Sequence, residues 1–217
     1  MSALFLQDSA EYFQQQTSFE LSPVEHATDV ILQALAMAER PVLTTNFRPG
    51  AVVLLHLLRE HAADIPVVWV DTGYNTPATY RYVDRLVEDL GLDLHVYTPR
   101  ITEAHRAARG LTVPTPKDDG FDAFVEEVKL EPFRRAFAEL KPDVWFTGIR
   151  REQTATRAAT GIYSRGAAGS LKVAPLLDWT QADIDLYVSE HNLPNSSDYV
   201  DPTKPGEKLE CGIQLLR

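Results

Sequence analysis

The chain has 217 residues, enough for one sizeable core and short of the roughly 250 residues at which single cores tend to split. Hydrophobic residues make up 44% and charged residues 24%, and no run approaches the roughly 20 apolar residues of a membrane span, so a soluble protein with no membrane partner is expected. The formal net charge of −10 opposes binding of a polyanion such as nucleic acid over the average surface, so any phosphate ligand must be held by a local basic cluster.

Residues 1–8, Met1-Ser2-Ala3-Leu4-Phe5-Leu6-Gln7-Asp8, carry no basic region and reach an acid early, so no secretory leader is expected. With a free cysteine further on, the expected setting is the reducing cytoplasm. Ser22, Pro23 and Glu25 combine an N-cap, a first-turn proline and a capping glutamate. Apolar Ile31, Leu32, Leu35 and Ala36 follow at helical spacing, predicting a helix over 22–40. Residues 41–46 predict a short buried strand, 47–50 a loop and 51–61 a strongly apolar helix. The pattern repeats with an apolar strand at 65–70 ending at Asp71-Thr72-Gly73, a helix over 76–90 and a strand at 92–97. A stretch containing proline and glycine, 99–120, leads to a helix over 121–140 and a strand at 143–148. Beyond Gly148 come an arginine-rich turn, a glycine-rich stretch over 161–169, a strand at 171–177 and a helix over 180–192.

Strands alternating with helices predict an α/β fold: a doubly wound, mostly parallel sheet flanked by helices. The expected organisation is one α/β domain at 1–192 and an extended C-terminal tail at 193–217, which folds over the domain and is not an independent unit.

The tail carries the only cysteine, Cys211, in the run Lys208-Leu209-Glu210-Cys211-Gly212-Ile213. A lone thiol forms no internal disulfide, and four-cysteine metal ligation is excluded unless several chains contribute. A buried inert thiol, a surface thiol without a role and a nucleophile remain. The polar setting and Gly212, which leaves the backbone open to close approach, favour the nucleophile. Lys208, three residues earlier, is a cation that favours a thiolate, and Glu210 opposes it. The six histidines show no metal-ligand spacing, and no metal is assigned.

In an open parallel sheet, ligands bind beyond the carboxyl ends of the strands at the switch in strand order. Three strand ends are polar. Thr44-Thr45-Asn46-Phe47-Arg48-Pro49-Gly50 offers hydroxyls and N–H groups at a helix start, without the GxxxxGK[ST] pattern of a nucleotide triphosphatase. Asp71-Thr72-Gly73 reads equally as a turn with a helix cap or as part of a binding crevice. Gly148-Ile149-Arg150-Arg151-Glu152-Gln153 continues to Arg157, and three arginines so close behind a buried strand suit phosphate or sulfate. Lys129 is ambiguous on its own, since Lys, Arg and Glu often alternate on a solvated helix face.

Together these pieces resemble the phosphoadenosine phosphosulfate reductase family. The resemblance runs over about residues 25–213. It is carried by Val70-Asp71-Thr72-Gly73-Tyr74, Thr79-Tyr80-Arg81, Lys129-Leu130-Glu131-Pro132, Thr147-Gly148-Ile149-Arg150-Arg151-Glu152-Gln153, Leu171-Lys172-Val173-Ala174-Pro175-Leu176-Leu177-Asp178-Trp179 and Glu210-Cys211-Gly212-Ile213. It implies an adenine nucleotide α-hydrolase-like fold, with nucleotide held by Thr44, Thr45, Asn46, Asp71, Thr72 and Gly73, and with Lys129, Arg150, Arg151 and Arg157 around its anionic groups; Gly148 and Lys208 are further candidate substrate-binding residues. It further implies that Cys211 attacks the sulfur of 3′-phosphoadenylyl sulfate, releasing adenosine 3′,5′-bisphosphate, and that thioredoxin or glutaredoxin then frees sulfite. Members of the family often pair as dimers. Relatives that bind an iron–sulfur cluster carry paired cysteines just before the Lys-x-Glu-Pro segment; here Phe124-Val125-Glu126-Glu127-Val128 stands there, so no cluster and no other bound cofactor is implied. Two alternatives stay open. One is a non-catalytic nucleotide-binding homologue; the other is an ATP-cleaving adenylyl transferase, in which a Ser-Gly-Gly-x-Asp-Ser-like loop would stand at Thr44 to Gly50.

Overall fold

The structure, a computed structural model, describes residues 22–204 and Ile213. Helix α1 (Pro23–Met37) precedes β1 (Pro41–Thr45), α2 (Ala51–His61), β2 (Pro66–Val70), α3 (Pro77–Leu90) and β3 (Asp93–Tyr97). There follow α4 (Glu103–Ala108), α5 (Phe121–Val125), a π-helical turn (Glu126–Leu130), α6 (Glu131–Leu140) and β4 (Val144–Thr147). After a 3₁₀ turn (Arg151–Gln153) come α7 (Ala155–Ala158), β5 (Tyr163–Arg165), β6 (Leu171–Val173) and α8 (Gln181–Glu190).

The six strands lie in the order β3-β2-β1-β4-β6-β5, and every pairing is parallel except the edge pair β5–β6. Winding runs outward from β1 in both directions, so the switch in strand order falls between β1 and β4, which pair from Pro41↔Val144 to Thr44↔Thr147. Side chains alternate across each strand with period two. Leu43, Val67, Trp69, Val144 and Phe146 face a core completed by α1, α2, α3 and α8. Val42, Val68 and Trp145 face a second cluster with Phe133, Ala136 and Phe137 of α6 and with Ile213. The sheet is thus covered on both faces, as a parallel sheet requires.

The helix starts follow from local chemistry. Ser22 Oγ accepts from the Glu25 N–H at 3.3 Å while Glu25 Oε2 accepts from the Ser22 N–H at 2.9 Å, the reciprocal cap expected from the sequence. Thr76 caps α3 by accepting from the Thr79 N–H at 3.1 Å.

The structure refines four local expectations. The helix expected over 121–140 is interrupted by the π turn, whose last bond runs from the Glu131 N–H to the Glu126 carbonyl. Pro132 has no N–H to give the carbonyl four residues back, and its ring crowds that carbonyl; a wider turn relieves both. The strand expected at 171–177 stops at Val173, because Pro175 cannot extend a ladder. The stretch 99–120 holds α4, capped by Thr102, and the glycine-rich stretch holds β5. Three residues are too few to show a period, and β5 exists because it pairs with β6.

Candidate active site

A cavity of about 120 Å³ opens at the β1/β4 switch, beyond the carboxyl ends of the strands. It is lined at the end of β1 by Thr44, Thr45, Asn46 and Arg48, at the end of β4 by Thr147, Gly148 and Arg150, and from the helices by Lys129, Gln153 and Arg157. Apolar Leu54, Phe133, Ile184 and Ile213 close its sides.

The β1 loop is shaped by its own side chains. Thr45 Oγ1 accepts from the Phe47 N–H at 3.2 Å, Asn46 Oδ1 accepts from the Arg48 N–H at 3.3 Å, and Thr44 Oγ1 accepts from Trp145 Nε1 at 2.8 Å. Behind β4, Gln153 links two arginines: its Oε1 accepts from the Arg150 N–H at 3.2 Å and from Arg157 Nη1. Arg150 is buried, with Nη1 on Glu152 and Nη2 donating to Gln181 Oε1 at 2.7 Å. Burial lowers the pKa of Arg150 below the ordinary arginine value, and Glu152 works in the opposite direction.

Lys129 reaches the cavity from the π turn and is itself buried. Its Nζ donates to Asp201 Oδ2 at 2.5 Å and to Thr203 Oγ1 at 2.9 Å. Asp201 belongs to the segment 193–204, which crosses the crest of the sheet. There Tyr82 OH donates to the Pro194 carbonyl at 3.0 Å, the Gly50 N–H to Asn195 Oδ1 at 3.0 Å, Thr79 Oγ1 to the Asp198 carbonyl at 2.9 Å and Asn46 Nδ2 to Tyr199 OH at 2.7 Å.

Of the residues singled out in the sequence, Thr44, Thr45, Asn46, Lys129, Gly148, Arg150 and Arg157 come together around this cavity. Asp71, Thr72 and Gly73 do not line it. Asp71 Oδ1 accepts from the Gly73 N–H at 2.9 Å, Asn75 Nδ2 at 2.7 Å and Tyr80 OH at 3.0 Å, so the carboxylate is committed to organising its own turn. Burial and the adjacent Asp71 push the Tyr80 hydroxyl up to about 12. Thr72 Oγ1 likewise accepts from the Tyr74 N–H, at 3.4 Å.

Arg151 does not line the cavity either. Its Nε bonds Asp178 at 2.6 Å and its Nη1 donates to the Ala158 and Thr160 carbonyls, so it ties two loops together outside the cavity. Cys211 and Lys208 lie outside the described residues. Arg48, Gln153, Tyr199 and Asp201 were not singled out by the sequence. Arg48 was visible only as part of a polar loop, and no local signal marks Asp201. Among the described residues no three His, Cys, Asp or Glu side chains form a metal-holding group, and no helix is long and apolar enough to cross a membrane.

The sequence profile of the phosphoadenosine phosphosulfate reductase domain matches residues 40–199. Phosphoadenosine 5′-phosphosulfate reductase from Xylella fastidiosa (strain M12) is 42% identical over 156 residues, 72% of this chain and 65% of that protein. The protein of the same name from Xanthomonas euvesicatoria pv. vesicatoria (strain 85-10) is 39% identical over 170 residues, 78% of this chain and 70% of that protein. The chain thus spans about two thirds of the length of these curated relatives. Its fold is similar to the crystal structure of phosphoadenylyl-sulfate reductase from Candida auris in a phosphate complex, with a TM-score of 0.70 at 24% identity over 90% of this chain and 89% of that one. FMN adenylyltransferase from Candida glabrata shares the fold more distantly, with a TM-score of 0.59 at 15% identity over 88% and 67%. A profile match over more than half the residues, with curated relatives at 39% and 42% identity, places the chain in the phosphoadenosine phosphosulfate reductase family.

Proposed function

We propose that the chain reduces 3′-phosphoadenylyl sulfate to sulfite and adenosine 3′,5′-bisphosphate in the reducing cytoplasm, with Cys211 as nucleophile. The observation that carries this reading is the cationic cavity at the strand switch, where Lys129, Arg48, Arg150 and Arg157 converge in a family member with an otherwise acidic chain. The Cys211 thiolate attacks the sulfuryl sulfur, an S–Sγ bond forms and the S–O bond breaks. The electron pair leaves on the phosphate oxygen, where guanidinium groups stabilise the developing charge. A thiolate of thioredoxin or glutaredoxin then attacks Sγ and expels sulfite, and its second thiol frees Cys211. The donor is oxidised to a disulfide and the sulfur atom gains two electrons.

Ile213 supports this assignment: it lines the cavity, and two peptide units, about 7 Å at full stretch, separate it in the chain from Cys211. The cavity is smaller than the roughly 300–1,000 Å³ of ordinary small-molecule sites, and segment 193–204 is fastened to its lining residues Asn46, Gly50 and Lys129, so that segment is expected to shift when a whole sulfonucleotide enters. Thr44, Thr45, Asn46, Lys129, Arg150 and Arg157 hold the ligand in this reading. Asp71, Thr72 and Gly73 act through the turn they form, and Lys208 favours the thiolate.

Incubation with 3′-phosphoadenylyl sulfate in the absence of a thiol donor is expected to add about 80 Da to the peptide bearing Cys211, the mass of a transferred sulfuryl group. Cys211→Ser is expected to bind nucleotide, form no adduct and release no sulfite. Sulfite production by Cys211→Ser, or nucleotide binding by the parent protein with no adduct, rejects the mechanism.

A further inference from the structure

Arg48 lies on the loop between β1 and α2 and is flanked by two left-handed residues, Phe47 at φ 51° and Gly50 at φ 77°. A bulky side chain holds that backbone only where packing enforces it, and strained loops of this kind concentrate at binding sites. Here the enforcement is visible. The Phe47 ring is buried and meets Trp69 edge-on, with centroids 5.4 Å apart at 84°. At the other end, Gly50 passes so close to α8 that a Cβ would lie 2.8 Å from Ile184 Cγ2. The Gly50 N–H is also fastened to Asn195. The loop is clamped on both sides, and Arg48 between the clamps lines the cavity beside Arg150 and Arg157.

The charges in this cavity are unevenly compensated. Lys129 faces Asp201, and Arg150 faces Glu152. Arg48 takes part in none of the ion pairs among the described residues. Burial holds its pKa below the ordinary arginine value, Arg150 and Arg157 lower it further, and Tyr199 opposes them. A guanidinium partly removed from water beside two others, and in no ion pair with an acid among the described residues, is stabilised by an anion that brings its own charge.

We propose that Arg48 is a specificity-determining residue: with Arg150 and Arg157 it builds an anion-binding end of the cavity, separate from the Lys129 end. This end takes one phosphate of a nucleotide bearing two separate anionic groups and makes the chain select such ligands over singly phosphorylated ones. The inference rests on the sulfonucleotide reading above and adds to it a residue and the basis of its selectivity.

Calorimetric titration of the full chain and of Arg48→Ala, Arg48→Gln and Arg48→Lys with adenosine 3′,5′-bisphosphate, 3′-AMP, 5′-AMP and inorganic sulfate tests it. The parent chain is expected to bind the bisphosphate at least about 10-fold more tightly than either monophosphate. Arg48→Ala is expected to weaken the bisphosphate and one monophosphate by about 10–100-fold, the scale of a lost charge-assisted contact, and to leave the other monophosphate within about twofold. The monophosphate that weakens identifies the group Arg48 holds. Arg48→Lys recovers part of the affinity, since a point charge replaces a fork. Unchanged binding, or an equal loss for all ligands, overturns the role, and Arg48→Gln carries the same comparison should Arg48→Ala fail to fold. If the parent chain binds none of the nucleotides, the reductase reading fails. The sulfate arm then decides Arg48 alone: weaker sulfate binding in Arg48→Ala retains the anion site, and equal binding removes it.

Discussion

Asp201 and Lys129 stand 72 residues apart in sequence, and their side chains share a buried contact beside the cavity that Lys129 lines. Burial by itself would raise the Asp201 carboxyl. The Lys129 charge, with hydrogen bonds from Lys129 and Thr203, outweighs that and holds it below the ordinary carboxylate value. A carboxyl whose folded pKa is depressed stabilises the fold above its unfolded value near 3.8, and that contribution is lost as pH falls through the lower folded value. Urea unfolding of Asp201→Asn is therefore expected to show a smaller loss of stability than the parent between about pH 4 and pH 2. At neutral pH, Asp201→Ala is expected to cost about 3 kcal/mol, the cost of breaking a buried pair by removing one partner. The adjacent arginines teach the complementary lesson. Arg150 and Arg151 carry the same sequence signal, yet Arg150 is extended, at φ −129° and ψ 145°, so the next side chain leaves on the other side of the chain. Arg150 therefore enters the cavity while Arg151 braces loops.

At the scale of elements, the cavity is set by two local irregularities. The π turn ahead of Pro132 carries Lys129 to its position, and the doubly left-handed β1 loop carries Arg48. Gly50 is the point at which the second can be tested. Its φ of 77° is costly for an L side chain, and its missing Cβ leaves the space that Ile184 fills. Gly50→Ala is expected to lower stability by about 2 kcal/mol in urea unfolding and to weaken adenosine 3′,5′-bisphosphate binding, because the loop that presents Arg48 must shift. Regular elements, by contrast, were legible in the sequence. The Ser22-Pro23-Glu25 start, the apolar run of α2 and the short apolar runs of β1 and β2 each state one local preference that the fold satisfies. The π turn and β5 were not legible, since one is a compromise around a proline inside a helical pattern and the other depends on its partner strand.

At the scale of the whole molecule, a strongly acidic chain gathers four of its described cations, Arg48, Lys129, Arg150 and Arg157, around one recess. Net charge −10 repels an anionic nucleotide at long range, while the recess attracts it at short range. Stopped-flow association of adenosine 3′,5′-bisphosphate is therefore expected to quicken as ionic strength rises from about 0.01 M to about 0.1 M, because the Debye length contracts from about 30 Å to about 10 Å and screens the distant charges first. A rate that falls steadily over that range would show that the local cluster dominates the approach.

The alternation of strand and helix, the polar strand ends and the arginine run are local patterns with local physical causes. They sufficed to determine the doubly wound sheet and to point to the end of it at which the cationic cavity opens. Tertiary structure alone decided which polar residues share the cavity. Arg48 joined it because its neighbours Phe47 and Gly50 pack against Trp69 and Ile184, Lys129 is met there by Asp201 from a distant segment, and Asp71 and Arg151 were drawn off to hold a turn and two loops. A side chain's partners depend on distances between segments far apart in sequence, and those distances exist only once the sheet and both of its faces have packed.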